Sequence, residues 1–279
     1  NDPLTQGPRI FAKNCASCHR HGGHDGLGGQ PKDKPSASDL QGFASREWLT
    51  GLVDPAKVAT AHYFGATKFK EGKMVKYVRE DVAALDAAGK EELRKAIVAL
   101  SAEAGLKAQR EADRRDESLI AEGIKALTGS RLGCMDCHKF RQEGEANAPE
   151  LTGYGSRQWL GDFIGNPAHE RFYGSRNDRM PAYREEKSLS EREIGLVADW
   201  LRGEWYTPAA TAEPGMPHTV EVSRSWAITM PPWCLTSRAP SLPSCPMPVS
   251  TTQSMRSFQM GATACRVTSA AGRTAFTGG

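Results

Sequence analysis

Apolar residues recur with a helical period through the first two-thirds of the chain. Leu93, Ala96, Ile97 and Leu100 fall at i, i+3, i+4 and i+7, and Ile194, Val197, Ala198 and Leu201 repeat that spacing further on. Each stretch predicts an amphipathic helix with one face turned to a core. Ser190 with Glu193 forms a capping-box signature ahead of the second stretch, and Gly203 stands where a C-terminal stop belongs. Two shorter helices are predicted around 8–13 and 119–127. Alternating runs of the strand type are absent, so the expected class is all-α. Residues 106–117 are dense in both charge signs and read as an exposed helical linker.

The pattern is written twice. Leu40-Gln41-Gly42-Phe43-Ala44-Ser45-Arg46-Glu47-Trp48-Leu49 recurs as Leu151-Thr152-Gly153-Tyr154-Gly155-Ser156-Arg157-Gln158-Trp159-Leu160, identical at six of ten positions. Tyr63-Phe64-Gly65 is echoed by Phe172-Tyr173-Gly174, and each echo leads on to a methionine, Met74 and Met180. A tandem duplication follows, with one domain at 1–103, a charged linker at 104–118 and a second domain at 119–206. From 207 to 279 the composition shifts. Lysine is absent, no acidic residue follows Glu221, and Pro, Ser, Thr, Met and Ala dominate without period. Such a segment is expected to be disordered; an aberrant C-terminus would look the same.

Composition narrows the function classes. The net charge is +3 over 279 residues, with basic and acidic residues intermixed, which gives no footprint for nucleic acid. No stretch approaches the roughly 20 apolar residues that cross a bilayer. Membrane association is therefore expected only through a partner or a missing anchor. The chain begins at Asn1 and reads as a processed or excised piece that a leader or anchor could have preceded.

Of seven cysteines, four form two tight pairs and three are scattered at Cys234, Cys245 and Cys265. The odd count argues against a complete disulfide framework. Each tight pair is followed at once by histidine: Cys15-Ala16-Ser17-Cys18-His19 and Cys134-Met135-Asp136-Cys137-His138. This is the attachment pattern of c-type haem. Two thiols three positions apart on a turn of helix reach both vinyl groups of one porphyrin, and the adjacent histidine is held beneath the iron. A redox dithiol would not need the histidine, and a zinc site would need a second pair nearby. The late cysteines lack a following histidine and could pair or stay free. Two covalently bound haem c groups are expected. Haem of this kind is attached after export, so the protein is expected in the periplasm or on the extracytoplasmic face of the membrane.

On these residues the two halves resemble class I cytochrome c domains. That family carries a helix with a glycine and an apolar residue four later, crossing the last helix; Gly7/Phe11 and Gly123/Leu127 match. Its proline after the haem motif, whose carbonyl holds the iron-bound histidine, is matched by Pro149; the first copy has Ser38 there and departs from the pattern. The resemblance implies Arg46 and Arg157 near haem propionates, with Trp48 and Trp159 packing on or bonding to the propionate edge, or else buried in the core. The metal ligands it implies are His19 with Met74 and His138 with Met180; His62 rivals Met74. Met135 cannot reach a distal face. His21 and His24 sit in a glycine-rich insertion, expected to be a flexible, solvated loop rather than a metal site. The shorter second-copy loop and Pro149 predict a drier second haem of higher potential.

The duplicated segment also resembles the di-haem c subunits or domains of bacterial quinol–cytochrome c reductases. That implies cytochrome b, Rieske and soluble cytochrome or oxidase partners. The expected role is a non-catalytic electron carrier or an electron-transfer subunit. A di-haem peroxidase or haem-based gas sensor, each needing one open haem, is the alternative.

Overall fold

The computed structural model describes residues 2–205. The tail from 207, with Cys234, Cys245 and Cys265, lies outside them. The helices begin where the sequence supplies caps. In α1 (Pro3–Asn14) the Asp2 carboxylate accepts from the N–H groups of Leu4 and Thr5. In α2 (Arg46–Leu52) and α7 (Arg157–Gly165) the repeated serines, Ser45 and Ser156, accept from the N–H of Trp48 and Trp159. These bonds satisfy N–H groups that have no partner inside the helix. A short α3 (Lys73–Tyr77) runs into a π-turn over Val78–Val82, and Asp86 then caps α4 (Ala87–Glu103). The charged segment forms α5 (Arg110–Arg115), followed by α6 (Glu117–Thr128). The predicted capping box starts α8 (Glu191–Leu201), and Gly203 takes the left-handed conformation just past its end.

The molecule is helix-rich, with one addition to the all-α expectation. β1 (Lys139–Phe140) and β2 (Glu143–Gly144) pair as a minimal antiparallel hairpin directly after the second haem motif. Arg141 and Gly144, both at positive φ, allow this tight reversal.

The described residues lie in one compact unit. Its two most extensive helix contacts are α4 with α6 and α1 with α8, and each joins one half of the chain to the other. Close glycine contacts mark both crossings. A Cβ on Gly7 would lie 2.2 Å from Trp200 Cβ, and one on Gly123 would lie 2.1 Å from the Lys95 carbonyl oxygen. The predicted glycine-faced crossings are therefore present, but the partners are exchanged. Halves expected as separate domains at 1–103 and 119–206 are interlocked. The chain order supplies the reason: α4 and α6 are successive long helices separated only by 104–116 with the short α5, and elements near in sequence tend to pack on each other. With α4 covered by α6, the apolar face of α8 is left for α1.

The seam between the halves is polar at its rim and aromatic inside. Arg202 Nη1 donates to the carbonyls of Ala104 (2.6 Å) and Gly155 (2.5 Å). Phe43 packs on Tyr154 with ring centroids 5.4 Å apart, and Phe69 stacks on Tyr173 at 5.3 Å. Ala44 and Gly155, equivalent positions in the repeat, face each other at van der Waals range, and a Cβ on Gly155 would lie 2.2 Å from that of Ala44.

Candidate haem sites

The first cysteine–histidine motif continues α1 directly, whereas the second is a separate 3-10 turn over Cys134–Asp136, entered from Gly133 in the left-handed conformation beyond the end of α6. The N–H of His19 donates to the Cys15 carbonyl at 2.8 Å, and that of His138 to the Cys134 carbonyl at 3.0 Å. Each wrap brings the two thiols and the imidazole of a motif onto one short segment. All four cysteines are free thiols. Burial pushes Cys15 up to about 12 and Cys134 up to about 11, so these sulfurs are neutral at physiological pH.

The histidines are held alike. His19 Nδ1 lies 2.8 Å from the Ser38 carbonyl oxygen, and His138 Nδ1 lies 2.7 Å from that of Pro149. With Nδ1–H donating to the carbonyl, Nε2 carries the lone pair that a metal takes. Burial lowers the pKa of both rings, against the opposing effect of the carbonyl bond, and keeps them neutral. Ser38 thus does what Pro149 does, because only the carbonyl is used. Its hydroxyl also donates to the Tyr63 carbonyl at 2.6 Å, which anchors it. The departure from proline does not loosen His19, so the two histidines give no cause for unequal potentials.

The loop from Arg20 to Asp39 is tied down rather than loose. The Asp39 carboxylate accepts the N–H groups of Gly22 (2.9 Å), Gly23 (2.7 Å) and Gln41 (2.9 Å). Buried Arg20 donates to the carbonyls of Ala16, His19 and Asp33. His21 packs on Trp200 at 4.4 Å, and His24 Nδ1 accepts from the Gly26 N–H. Composition suggested a flexible loop because it counts glycines and not the one carboxylate that gathers their amides. Among the described residues no three His, Cys, Asp or Glu side chains gather as a metal-binding cluster.

Met74 is half-buried in α3 and packs against the cluster Val58, Val75, Val78 and Val82. Met180 is half-buried against the main core, and Asn177 Nδ2 donates to its carbonyl at 3.0 Å. His62 lies 4.0 Å from the Asp39 carboxylate, and its carbonyl accepts the Asp39 N–H. Asp39 adjoins Ser38, so His62 stands on the side from which His19 is held, not opposite it.

Of the expected propionate residues, Arg46 pairs with Asp113 (2.7 Å) and Asp116 (2.5 Å) of the linker, and its buried Nε has no acceptor. Arg157 pairs with Asp199 at 2.7 Å. Trp48 and Trp159 are buried, and each indole N–H is directed at a backbone carbonyl, of Asp39 at 3.5 Å and of Glu150 at 2.9 Å. Both thus take the buried-core arrangement expected as one of the two alternatives, and each indole N–H donates to the carbonyl nine positions back in its repeat.

Sequence reasoning missed two tyrosines. Each follows its methionine by three positions, in Met74-Val75-Lys76-Tyr77 and Met180-Pro181-Ala182-Tyr183. Tyr77 Oη donates to the Leu132 carbonyl at 2.7 Å, two residues before Cys134, and Tyr183 Oη donates to the Asn14 carbonyl at 2.6 Å, next to Cys15. The shared spacing was the available signal.

The donor set suits haem c: paired free thiols, a neutral imidazole fixed from behind by a carbonyl, and a half-buried thioether in each half. No helix among the described residues is long and apolar enough to cross a membrane. No curated protein and no solved structure matches the chain. Residues 4–95 match the family model for cytochrome c, a span that runs from α1 through the first haem motif into α4; this part of the chain is a cytochrome c domain, of the family that binds haem covalently and uses it for electron transfer.

Proposed function

We propose that the chain is a di-haem c-type cytochrome, with one haem joined to Cys15 and Cys18 and a second to Cys134 and Cys137. It moves electrons between redox partners on the extracytoplasmic side of a membrane. The observation that carries this reading is the matched pair of bonds from the histidine rings to backbone carbonyls. His19 Nδ1 to the Ser38 carbonyl and His138 Nδ1 to the Pro149 carbonyl are the same device at 2.8 and 2.7 Å, although only the first lies in the matched segment.

Bound haem c supplies a one-electron ferric/ferrous couple. The chain's residues do the rest. The carbonyls fix the imidazole tautomers and ring orientations. Met74 and Met180 offer soft thioethers, which favour the ferrous state and raise the potential. Arg46 Nε, buried without an acceptor, is free to donate to a propionate. With a methionine for each iron, neither site is left open, which favours electron transfer over peroxidase or gas-sensing chemistry. The proposed partners are a cytochrome b and a Rieske protein of a quinol–cytochrome c reductase, and a soluble cytochrome or oxidase.

The test is carbon monoxide binding to the fully reduced protein together with a potentiometric titration. Two one-electron waves and no stoichiometric carbon monoxide binding are expected. Binding at one haem in the unmodified protein would replace this reading by the peroxidase or sensor one.

A further inference from the structure

The methionines and the haem motifs are not paired as the linear repeat suggests. We propose that the axial ligands are crossed: His19 and Met180 share one iron, and His138 and Met74 share the other. This rests on the di-haem reading above and adds to it which half completes each site.

Four sets of contacts carry the inference, and all run between halves. The first is the helix pairing. The helix that leads into Cys15 lies on α8, which follows Met180, and the helix that leads into Cys134 lies on α4, which follows Met74. The second is the tyrosines. Tyr183 bonds to Asn14, next to Cys15, and Tyr77 bonds to Leu132, two residues before Cys134. Three residues of chain span at most about 10 Å. Each methionine backbone is therefore tethered within that distance of a tyrosine that bonds beside the haem motif of the other half.

The third set flanks the second motif. Arg131 donates to both oxygens of Asp86 at 2.9 Å and lies 3.6 Å from Glu92, fixing the start of α4 beside Cys134. The fourth flanks the first motif. Phe11 and His21 pack on Trp200 of α8 with centroids 5.3 and 4.4 Å away. Among the described residues, no hydrogen bond or ion pair joins 73–86 to 14–20, and none joins 180–191 to 131–138.

Each proximal side stays within its own half, since Ser38 holds His19 and Pro149 holds His138. The exchange thus falls between the two faces of each haem. One half supplies the thioethers and the histidine, and the other supplies the methionine. Neither half alone contains a complete site in this arrangement.

The experiment uses full-length chain in which Cys15→Ser and Cys18→Ser leave a haem only at Cys134 and Cys137. Into it are placed Met74→Ala or Met180→Ala. The readouts are the weak sulfur-to-iron charge-transfer band of the ferric state and stoichiometric carbon monoxide binding in the ferrous state. Crossed ligation predicts that Met74→Ala abolishes the band and opens the haem, whereas Met180→Ala leaves both readouts as they were. The reverse result overturns it, and so does no response to either substitution. In those cases a retained covalent haem mass leaves the di-haem reading standing; a chain with no haem at Cys134 and Cys137 refutes that reading instead. If the single-haem chain does not fold, the reduced two-haem protein is used with labelled methionine methyls. Nuclear Overhauser contacts from Met180 to the haem joined to Cys15 and Cys18 are expected, and contacts from Met180 to the other haem refute the crossing.

Discussion

Gly123→Ala isolates the interlocked packing from everything else in the fold. In an exposed helix this change stabilises, because alanine is better than glycine by about 1 kcal/mol. Here the new methyl would sit 2.1 Å from the Lys95 carbonyl oxygen, 2.7 Å from its carbon and 2.8 Å from Ala99 Cβ. Ordinary contact begins near 3.4 Å, so α6 must move more than 1 Å away from α4. The obstacle is helix backbone, which cannot swing aside as a side-chain tip would. Overpacking of this kind costs about 1–3 kcal/mol, and more when backbone must shift. Set against the propensity gain, the net expectation is a loss of about 1–2 kcal/mol. Urea unfolding of the haem-loaded protein, followed by circular dichroism, measures it as a lower midpoint at unchanged slope. A gain of about 1 kcal/mol, the exposed-helix value, would show that α6 does not lie on α4 and would remove the basis for crossed halves.

Three further expectations follow from single residues. Arg202→Met leaves the Ala104 and Gly155 carbonyls without their shared donor, and a loss of about 2 kcal/mol in the same unfolding assay is expected; no loss would show that water replaces the guanidinium. Burial opposes ionisation of Asp39, but the amides of Gln41, Gly22 and Gly23 outweigh it and hold its pKa below the usual value. Its contribution is therefore complete above about pH 4, the unfolded value, and is lost as pH falls through the lower folded value. Protection factors at the Gly22 and Gly23 amides (exchange corrected for the intrinsic pH dependence) should fall only in that acid range, and Asp39→Asn should lower them at neutral pH; protection independent of pH would show the carboxylate is not what holds the loop. Met180→His should lower the potential of the haem at Cys15 and Cys18, read by titrating the two waves; movement of the other haem's wave would favour ligation within each half.

What the sequence disclosed was local. The haem motifs, the serine caps before Trp48 and Trp159, and the Ser190–Glu193 box depend on neighbours a few positions away, and all appear as helix-entry or turn geometry. The glycine-faced crossings were legible too, since Gly7 and Gly123 with an apolar residue four later mark a face for close approach. The partner of each face was not. Periodicity reports that a helix has a buried side, and which helix covers it is decided by tertiary packing that the spacing does not encode. Long-range charge pairing was equally hidden. Arg46 looked free for a propionate, yet Asp113 and Asp116 in the linker take two of its nitrogens. Asp39 was overlooked for the same reason, because gathering amides from 22, 23 and 41 requires the loop to be folded first.

The claim that underlies the rest is two covalent haems per chain, and the most direct measurement is the mass of the denatured, acid-extracted protein. The chain plus two haems is predicted, falling to one haem in Cys134→Ser/Cys137→Ser, with three of the seven cysteines in the unmodified chain left to alkylate after disulfide reduction. A mass with one haem, or haem that leaves on acid extraction, would contradict the account.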